Sequence, residues 1–221
     1  MPIQGDDPAY RGQSEYTPFF LKIYDPVILG FFTRVVWRCP TTLLVERYRR
    51  HIRPHHLDVG PDTGYFLERA SLPTGAQVTI LDPNVNVLEH ASGRLTALDI
   101  TAVEADVLKP LPLDGAFDSA ALHGVIHCLP GPLSRKAVAV ANVAAVLAPT
   151  GVLFGASILG SSGSHTWLSR RIVKANNRRG IFDNLGDTQE GLREILGASF
   201  EHVELETVGS MAIFAATNPR T

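Results

Sequence analysis

Apolar residues follow two alternating patterns along the middle of the chain. Short continuous apolar runs predict buried strands at residues 56–59, 77–81, 101–105, 117–122 and 151–158. Apolar residues at helical spacing between these runs predict helices at 63–70, with Asp62 or Thr63 as N-cap, and at 85–95 and 134–147. Strands that alternate with helices indicate an α/β fold, a mainly parallel sheet with helices on both faces.

The C-terminal part of the chain has a different pattern. An Asp187-x-x-Glu190 box predicts the start of a helix over residues 187–196. Two strands are predicted after it, at residues 202–207 and 211–216. Because the short turn Gly209-Ser210 joins them, they form an antiparallel hairpin, which adds one antiparallel strand at the edge of the sheet.

Two regions interrupt the alternation. Residues 18–38 predict one or two short apolar helices, broken near Asp25-Pro26, and residues 41–52 predict a further helix. Residues 159–186 hold a Gly/Ser-rich segment and a helix at 166–176, and so long a connection in a compact domain is usually functional. We therefore expect a single domain over residues 1–221, in which residues 1–40 form a helical lid and the insertion 159–186 covers the substrate.

Composition narrows the choice of partners. With a formal net charge of −2 over 221 residues, the chain has no strong basic field for nucleic acid, so a small molecule is the expected substrate. The apolar stretch 19–37 contains Lys22, Asp25, Pro26 and Arg34, and is too broken for an integral membrane span. The cysteines, Cys39 and Cys128, form no CxxC pair, which favours a reduced, cytoplasmic setting.

The turn after the first strand carries the first chemical signal. Gly60 lets the backbone turn sharply, and Gly64 lets the next helix approach a ligand, in the region where open parallel sheets bind ligands. Asp58, two residues before Gly60, suits an ammonium group better than a pyrophosphate. The spacing Gly60-x-x-x-Gly64 also differs from the G-x-G-x-x-G motif of nicotinamide enzymes.

The next two strands also end in acids. A carboxylate at Asp82 can accept from both ribose hydroxyls, or can cap the following helix. Asp106 can accept from an adenine amino group while Val107 packs against the ring, although a solvated loop acid would look the same. The ordered set of three acids is more informative than any one of them.

These segments resemble class I S-adenosylmethionine-dependent methyltransferases. Residues 56–67 look like the first motif of that family, 80–82 like its second acidic strand, 104–107 like its adenine-contacting segment and 117–130 like its fourth strand and loop. The resemblance covers residues 41–217 and implies a Rossmann-like, seven-stranded sheet. It also implies that Asp58, Gly60 and His123 line the methionine end, with Asp82 at the ribose and Asp106 at the adenine. The family usually has a small residue and then glycine where this chain has Pro61-Asp62; Asp62 tolerates the turn conformation and is a further candidate contact for the methionine ammonium.

Histidines are the candidate general bases, because the ordinary histidine pKa is near neutrality. We expect His123, just past the fourth strand, to contact the cofactor and to be one candidate base, with His165 in the insertion as the other. His127 is expected to be mainly structural. His51, His55 and His56 have no carboxylate arrangement that suggests a metal site, so no metal is expected.

Aromatic residues before the sheet and in the insertion are the candidate acceptor contacts. An aromatic face stabilises a sulfonium charge, and Tyr16 is the preferred lid contact to the cofactor. The candidate substrate residues are Phe19, Phe20, Tyr24, Trp167, Asn177 and Phe182, with Asn176 beside them. A basic run at 170–179 is either a solvated helix face or a recognition site for a carboxylate or phosphate.

The predicted activity is methyl transfer to a small, largely apolar acceptor such as a secondary metabolite, by in-line attack on the sulfonium methyl, with S-adenosylhomocysteine as product. The acceptor atom stays open between oxygen, nitrogen, sulfur and carbon. One alternative is a protein of this fold that binds the cofactor without transferring methyl. A nicotinamide-dependent oxidoreductase is a third and weaker alternative, because of the glycine spacing.

Overall fold

The computed structural model describes residues 17–161 and 164–220, in which helices pack on both faces of one sheet. The strands are β1 (His55–Val59), β2 (Gln77–Asp82), β3 (Asp99–Glu104), β4 (Phe117–His123), β5 (Leu147–Ile158), β6 (Phe200–Val208) and β7 (Met211–Pro219). The helices are α1 (Pro18–Tyr24), α2 (Asp25–Val36), α3 (Thr41–His51), α4 (Tyr65–Arg69), α5 (Val85–Arg94), α6 (Leu133–Ala145), α7 (Trp167–Arg179) and α8 (Gln189–Ser199).

The sheet has seven strands in the order β3-β2-β1-β4-β5-β7-β6. Strands β1 to β5 pair in parallel, and β7 runs antiparallel to both of its neighbours. The predicted mainly parallel sheet with a C-terminal antiparallel hairpin is therefore confirmed. One detail differs from the prediction. The antiparallel strand β7 lies between β5 and β6, so the edge strand is β6.

The central strand β1 places different side chains on its two faces. Leu57 and Val59 pack into the apolar cluster beneath α6 and α8. On the opposite face His56 and Asp58 are fully buried under Tyr48 of α3. Polar groups therefore occupy the interior directly behind the turn that follows β1.

Two predicted helix caps are wrong. Helix α4 has Gly64 as its N-cap residue, in a left-handed conformation and with no side-chain cap, instead of Asp62 or Thr63. Helix α8 is capped by Thr188, whose side chain accepts from the Gly191 N–H at 3.0 Å. Asp187 does not cap α8 because it forms an ion pair with the fully buried Lys136, at 2.7 Å.

The N-terminal helices are attached to the turn after β1. The predicted break near Asp25-Pro26 is wrong, because the backbone stays helical there and α1 passes directly into α2, which has π-helical winding. Asp25 accepts from Thr63 Oγ1 and from Arg94 Nη1, each at 2.6 Å, and Arg94 also pairs with Glu68 at 2.7 Å. These bonds join the start of α2 to the loop before α4 and to α5.

In the described part of the chain, no single helix has the length and apolarity needed to cross a membrane. One strongly bent pair, Phe20–Val36 with Thr41–His51, meets the requirement by length and composition alone.

Candidate functional site

A left-handed turn follows β1 at the carboxyl end of the sheet. Gly60, Asp62 and Gly64 have φ angles of 68°, 51° and 76°. A Cβ atom on Gly60 would lie 2.6 Å from the Val125 side chain, so both conformation and space require glycine there. The sequence has Asp62 where the family usually has glycine, and we expect Asp62 to tolerate the turn. Asp62 does adopt the left-handed conformation. The turn therefore keeps its shape with an acid at its centre.

A first cavity, here called the cofactor cavity, lies beside this turn. It contains about 820 Å³ of empty space up to its open mouth. Six of the predicted cofactor residues line it together, namely Gly60, Asp62, Asp82, Asp106, Val107 and His123. The other lining residues are mostly apolar and include Val59, Leu81, Pro83, Asn84, Val87, Gly124, Val125, Cys128, Leu129 and Ile181.

Asp82 is the last residue of β2, and a backbone N–H two residues later holds its side chain. Its Oδ1 accepts from the Asn84 N–H at 2.7 Å, and burial raises the pKa of the Asp82 carboxyl to about 7. The alternative role as a helix cap belongs to Asn84, whose side chain accepts from the Asn86 N–H. Asp82 is therefore a partly desolvated acid in the cavity wall.

Asp106 repeats this arrangement after β3. Its Oδ1 accepts from the Leu108 N–H at 2.9 Å, and its Oδ2 lies 3.8 Å from Lys109 Nζ. The neighbouring Val107 is buried and belongs to the apolar cluster under α6. Asp106 and Val107 thus present an acid and an apolar side chain to the same cavity.

Asp58 and Gly64 do not line the cofactor cavity. Asp58 is 1% exposed, lies 3.4 Å from the Tyr48 hydroxyl, and has a pKa that burial raises to about 8. The space that a Gly64 side chain would take is filled by Leu95. Asp58 lies behind the turn, because side chains of alternate residues of β1 point to opposite faces and Asp58 lies on the face that α3 covers.

A second and larger cavity, here called the acceptor cavity, contains about 1220 Å³ of empty space up to its mouth. Helices α1 and α2 form one wall, and the end of α7 with the loop after it forms another. Of the predicted substrate residues, Phe20, Tyr24 and Phe182 line it, as does Asn176. The further lining residues are Val27, Ile28, Leu29, Phe32, Thr33, Trp37, Leu44, His127, Ile158, Arg179 and Met211.

The remaining predicted contacts lie elsewhere. Trp167 is 67% exposed at the start of α7, with Arg171 over its ring. Asn177 uses its side chain within the insertion, where its Nδ2 donates to Val173 O and to Asn184 Oδ1. Neither residue lines the acceptor cavity. Tyr16 and the side chain of Phe19 lie outside the described residues.

The two cavities share part of their walls. The residues common to both are Asp62, His123, Gly124, Cys128 and Ile181. His123 packs against Phe66 at 4.4 Å and Tyr48 at 5.7 Å between ring centroids. Burial lowers the pKa of His123 to about 4 and raises that of the Cys128 thiol to about 12, so both are neutral at pH 7. This shared wall, here called the junction, therefore places one acid, Asp62, and two neutral groups, His123 and Cys128, between the two cavities.

His165, the other candidate base, lines neither cavity. Its Nε2 lies 2.7 Å from Leu159 O and its Nδ1 lies 3.0 Å from Ser169 Oγ. Both ring nitrogens are thus used inside the insertion. The ring is buried beside the first turn of α7.

Sequence reasoning missed most of the acceptor wall. The α2 residues that line it, and Trp37 and Met211, are ordinary apolar residues, which carry no chemical signal. Arg179 was one of a basic run of five, and nothing in the run singled it out as the member that reaches the cavity. Within the described residues, no group of three or more His, Cys, Asp or Glu side chains could hold a metal ion.

Comparison with known proteins shows which family the chain resembles. Residues 57–153 match the family described as "Methyltransferase domain". The chain is 35% identical to demethylluteothin O-methyltransferase of Streptomyces thioluteus, over 96% of this chain and 93% of that protein. It is also 35% identical to the physcion biosynthesis cluster O-methyltransferase of Aspergillus chevalieri, over 96% of this chain and 97% of the other.

A solved structure shares the fold. The N-methyltransferase NodS from Bradyrhizobium japonicum WM9, in complex with S-adenosylhomocysteine, superposes with a TM-score of 0.65 at 15% identity. The match covers 97% of this chain and 100% of that chain. At this identity the likeness supports the architecture alone.

Proposed function

Since the chain belongs to the class I S-adenosylmethionine-dependent methyltransferases, we propose that it methylates an oxygen of a small, largely apolar acceptor, a secondary metabolite. Two relatives that match nearly the whole chain are O-methyltransferases, which supports oxygen as the acceptor atom. The observation that carries the proposal is the shared wall, because it brings the ends of two ligand spaces together.

The donor set of the cofactor cavity fits S-adenosylmethionine. The Asp82 carboxylate would accept from the ribose hydroxyls, Asp106 from the adenine amino group, and Asp62 from the methionine ammonium, while Val107 packs against the base. When bound, the cofactor supplies a methyl group on a positively charged sulfur, which an acceptor atom attacks in line to leave S-adenosylhomocysteine. No metal ion is needed in this proposal.

The protein contributes positioning and water exclusion. Helices α1 and α2 act as the lid and the insertion as the cover, which places apolar side chains such as Phe20 and Phe182 around the acceptor. His123 stands at the junction, where it would meet the acceptor hydroxyl. A group with a pKa of about 4 is a weak proton acceptor, so we expect acceptors that lose their proton readily.

Calorimetric titration with S-adenosylmethionine tests the cofactor assignment, and mass spectrometry of reactions with a panel of hydroxylated aromatic compounds tests methyl transfer. We expect saturable binding, and S-adenosylhomocysteine that forms together with a product heavier by one methyl group. Tight binding without product across the panel would favour the alternative, a cofactor-binding protein that does not transfer methyl. Binding of NAD(H) in place of S-adenosylmethionine would favour the oxidoreductase alternative.

A further inference from the structure

The ring of His127 is held in one tautomer. The backbone N–H of Ile158 donates to His127 Nδ1 at 3.3 Å, so that nitrogen carries no proton. A neutral imidazole then has its proton on Nε2. Burial, with a smaller contribution from Lys136, lowers the pKa of His127 to about 3, so the ring stays neutral at physiological pH. Nε2 is therefore a hydrogen-bond donor and not a base.

The ring is also fixed in orientation. The His127 carbonyl accepts from the Asp183 N–H at 3.0 Å, and the ring lies edge-on to Phe182 with 4.6 Å between centroids. The carbonyl of Ile158 accepts from Asn184 Nδ2 at 2.8 Å, which holds the end of β5 in place. A donor whose position is fixed before binding loses little freedom when a ligand arrives.

The ring of His127 belongs to the wall of the acceptor cavity. His127 is one of the cavity's lining residues, and no described protein group accepts from its Nε2. Since Nε2 has no such partner and is not among the enclosed polar atoms that lack one, it keeps some access to open space. The walls beside it are apolar, with Ile158, Phe182 and Met211 among them. Because Nδ1 accepts from the backbone of β5, Nε2–H is the polar group of the ring that is left for a ligand.

We propose that His127 Nε2–H forms an oxygen subsite of the acceptor cavity, donating a hydrogen bond to a carbonyl or ionised hydroxyl oxygen of the acceptor. This proposal rests on the proposed function, in which the larger cavity takes the acceptor. His127 is thus a positioning residue for the acceptor, in addition to its structural bond with Ile158.

Binding of a matched pair of probes tests the subsite. The probes are 2-naphthol and naphthalene, titrated in the presence of saturating S-adenosylhomocysteine and followed by tryptophan fluorescence, since Trp37 lines the cavity. Because one hydrogen bond contributes roughly 1 kcal/mol, the wild-type protein should bind 2-naphthol about fivefold more tightly than naphthalene. Equal affinity of the wild-type protein for both probes would overturn the subsite.

Two variants separate the subsite from the fold. His127→Asn keeps an oxygen for the Ile158 N–H and lacks the distal donor, so it should bind both probes equally, with naphthalene affinity unchanged. His127→Gln restores a donor near the Nε2 position and should recover most of the preference for 2-naphthol. A preference that persists in His127→Asn would overturn the subsite while leaving the acceptor cavity intact. Failure of both probes to bind any of the proteins would overturn the acceptor cavity as well.

Nitrogen-15 spectroscopy gives a readout that does not depend on a ligand. The labelled wild-type protein should show a neutral His127 ring with its proton on Nε2 from pH 6 to 8. A proton on Nδ1 would contradict the bond from Ile158 and overturn the proposal.

Discussion

The cofactor cavity and the acceptor cavity are built in different ways. In the first, Asp82 is the last residue of β2 and Asp106 lies just after β3, and each accepts from a backbone N–H two residues ahead. The second is lined by side chains of α1, α2 and the insertion, most of them apolar. Strand ends therefore supply the acids of the cofactor cavity, whereas the added segments supply much of the apolar wall of the acceptor cavity.

The buried ion pair behind the acceptor cavity gives the largest expected effect. Lys136 Nζ donates to Asp187 Oδ2 and to the carbonyl of Asp183, at 2.7 and 2.6 Å, and so fixes the loop that carries Phe182. Lys136→Met leaves Asp187 without its partner and should lower the free energy of unfolding by about 3–5 kcal/mol, as measured by urea denaturation. The exposed Lys174→Met is the matched control, with an expected change within about 0.5 kcal/mol. Equal urea midpoints for the two variants would show that the pair does not stabilise this wall.

Removal of the Asp82 charge should weaken cofactor binding and leave ligand binding in the acceptor cavity unchanged. Asp82→Asn loses a charged acceptor whose hydrogen bonds contribute about 1.5–3 kcal/mol, so the dissociation constant for S-adenosylmethionine should rise roughly tenfold to a hundredfold. Calorimetry measures this, with the exposed Asp114→Asn as control. Binding of 2-naphthol should be unchanged in both variants. An unchanged cofactor affinity would remove Asp82 from the site.

Cofactor affinity should also depend on pH. Burial raises the pKa of Asp82 to about 7, so its carboxyl is largely protonated at pH 6 and ionised at pH 8. Since the ionised form accepts from both hydroxyls, affinity should increase with pH, by up to about tenfold over this range. Asp82→Asn should flatten the part of the profile centred near pH 7. Affinity that falls as pH rises would contradict this assignment.

The smallest expected effect concerns the ion pairs that join the start of α2 to α4 and α5. Arg94→Leu removes the bonds to Asp25 and Glu68, and because Arg94 is partly exposed we expect a loss of about 1 kcal/mol or less. The loss should shrink in 1 M salt, since salt screens exposed pairs. Arg50→Leu, on the exposed side of α3, should show no such salt dependence. Equal salt dependence in both variants would argue against a stabilising role for these bonds.

The contrast between the two cavities also explains which features could be predicted from the sequence. The period of apolar residues predicted the sheet and its hairpin, because core packing depends on that period. The acids at strand ends were found because an acid after a buried strand is conspicuous. The direction of Asp58 was not predicted, because it depends on which face of β1 lies under α3. The same limit applies to Asp187, whose partner Lys136 is distant along the chain and becomes visible only in the folded protein.

The position of β7 has a consequence for folding. This strand is the seventh in chain order yet lies in the interior of the sheet, between β5 and β6. Until β7 docks, β5 has an open edge and β6 has no strand beside it. Open edges invite pairing with other chains, so a folding chain is most prone to misassociation before this strand is in place.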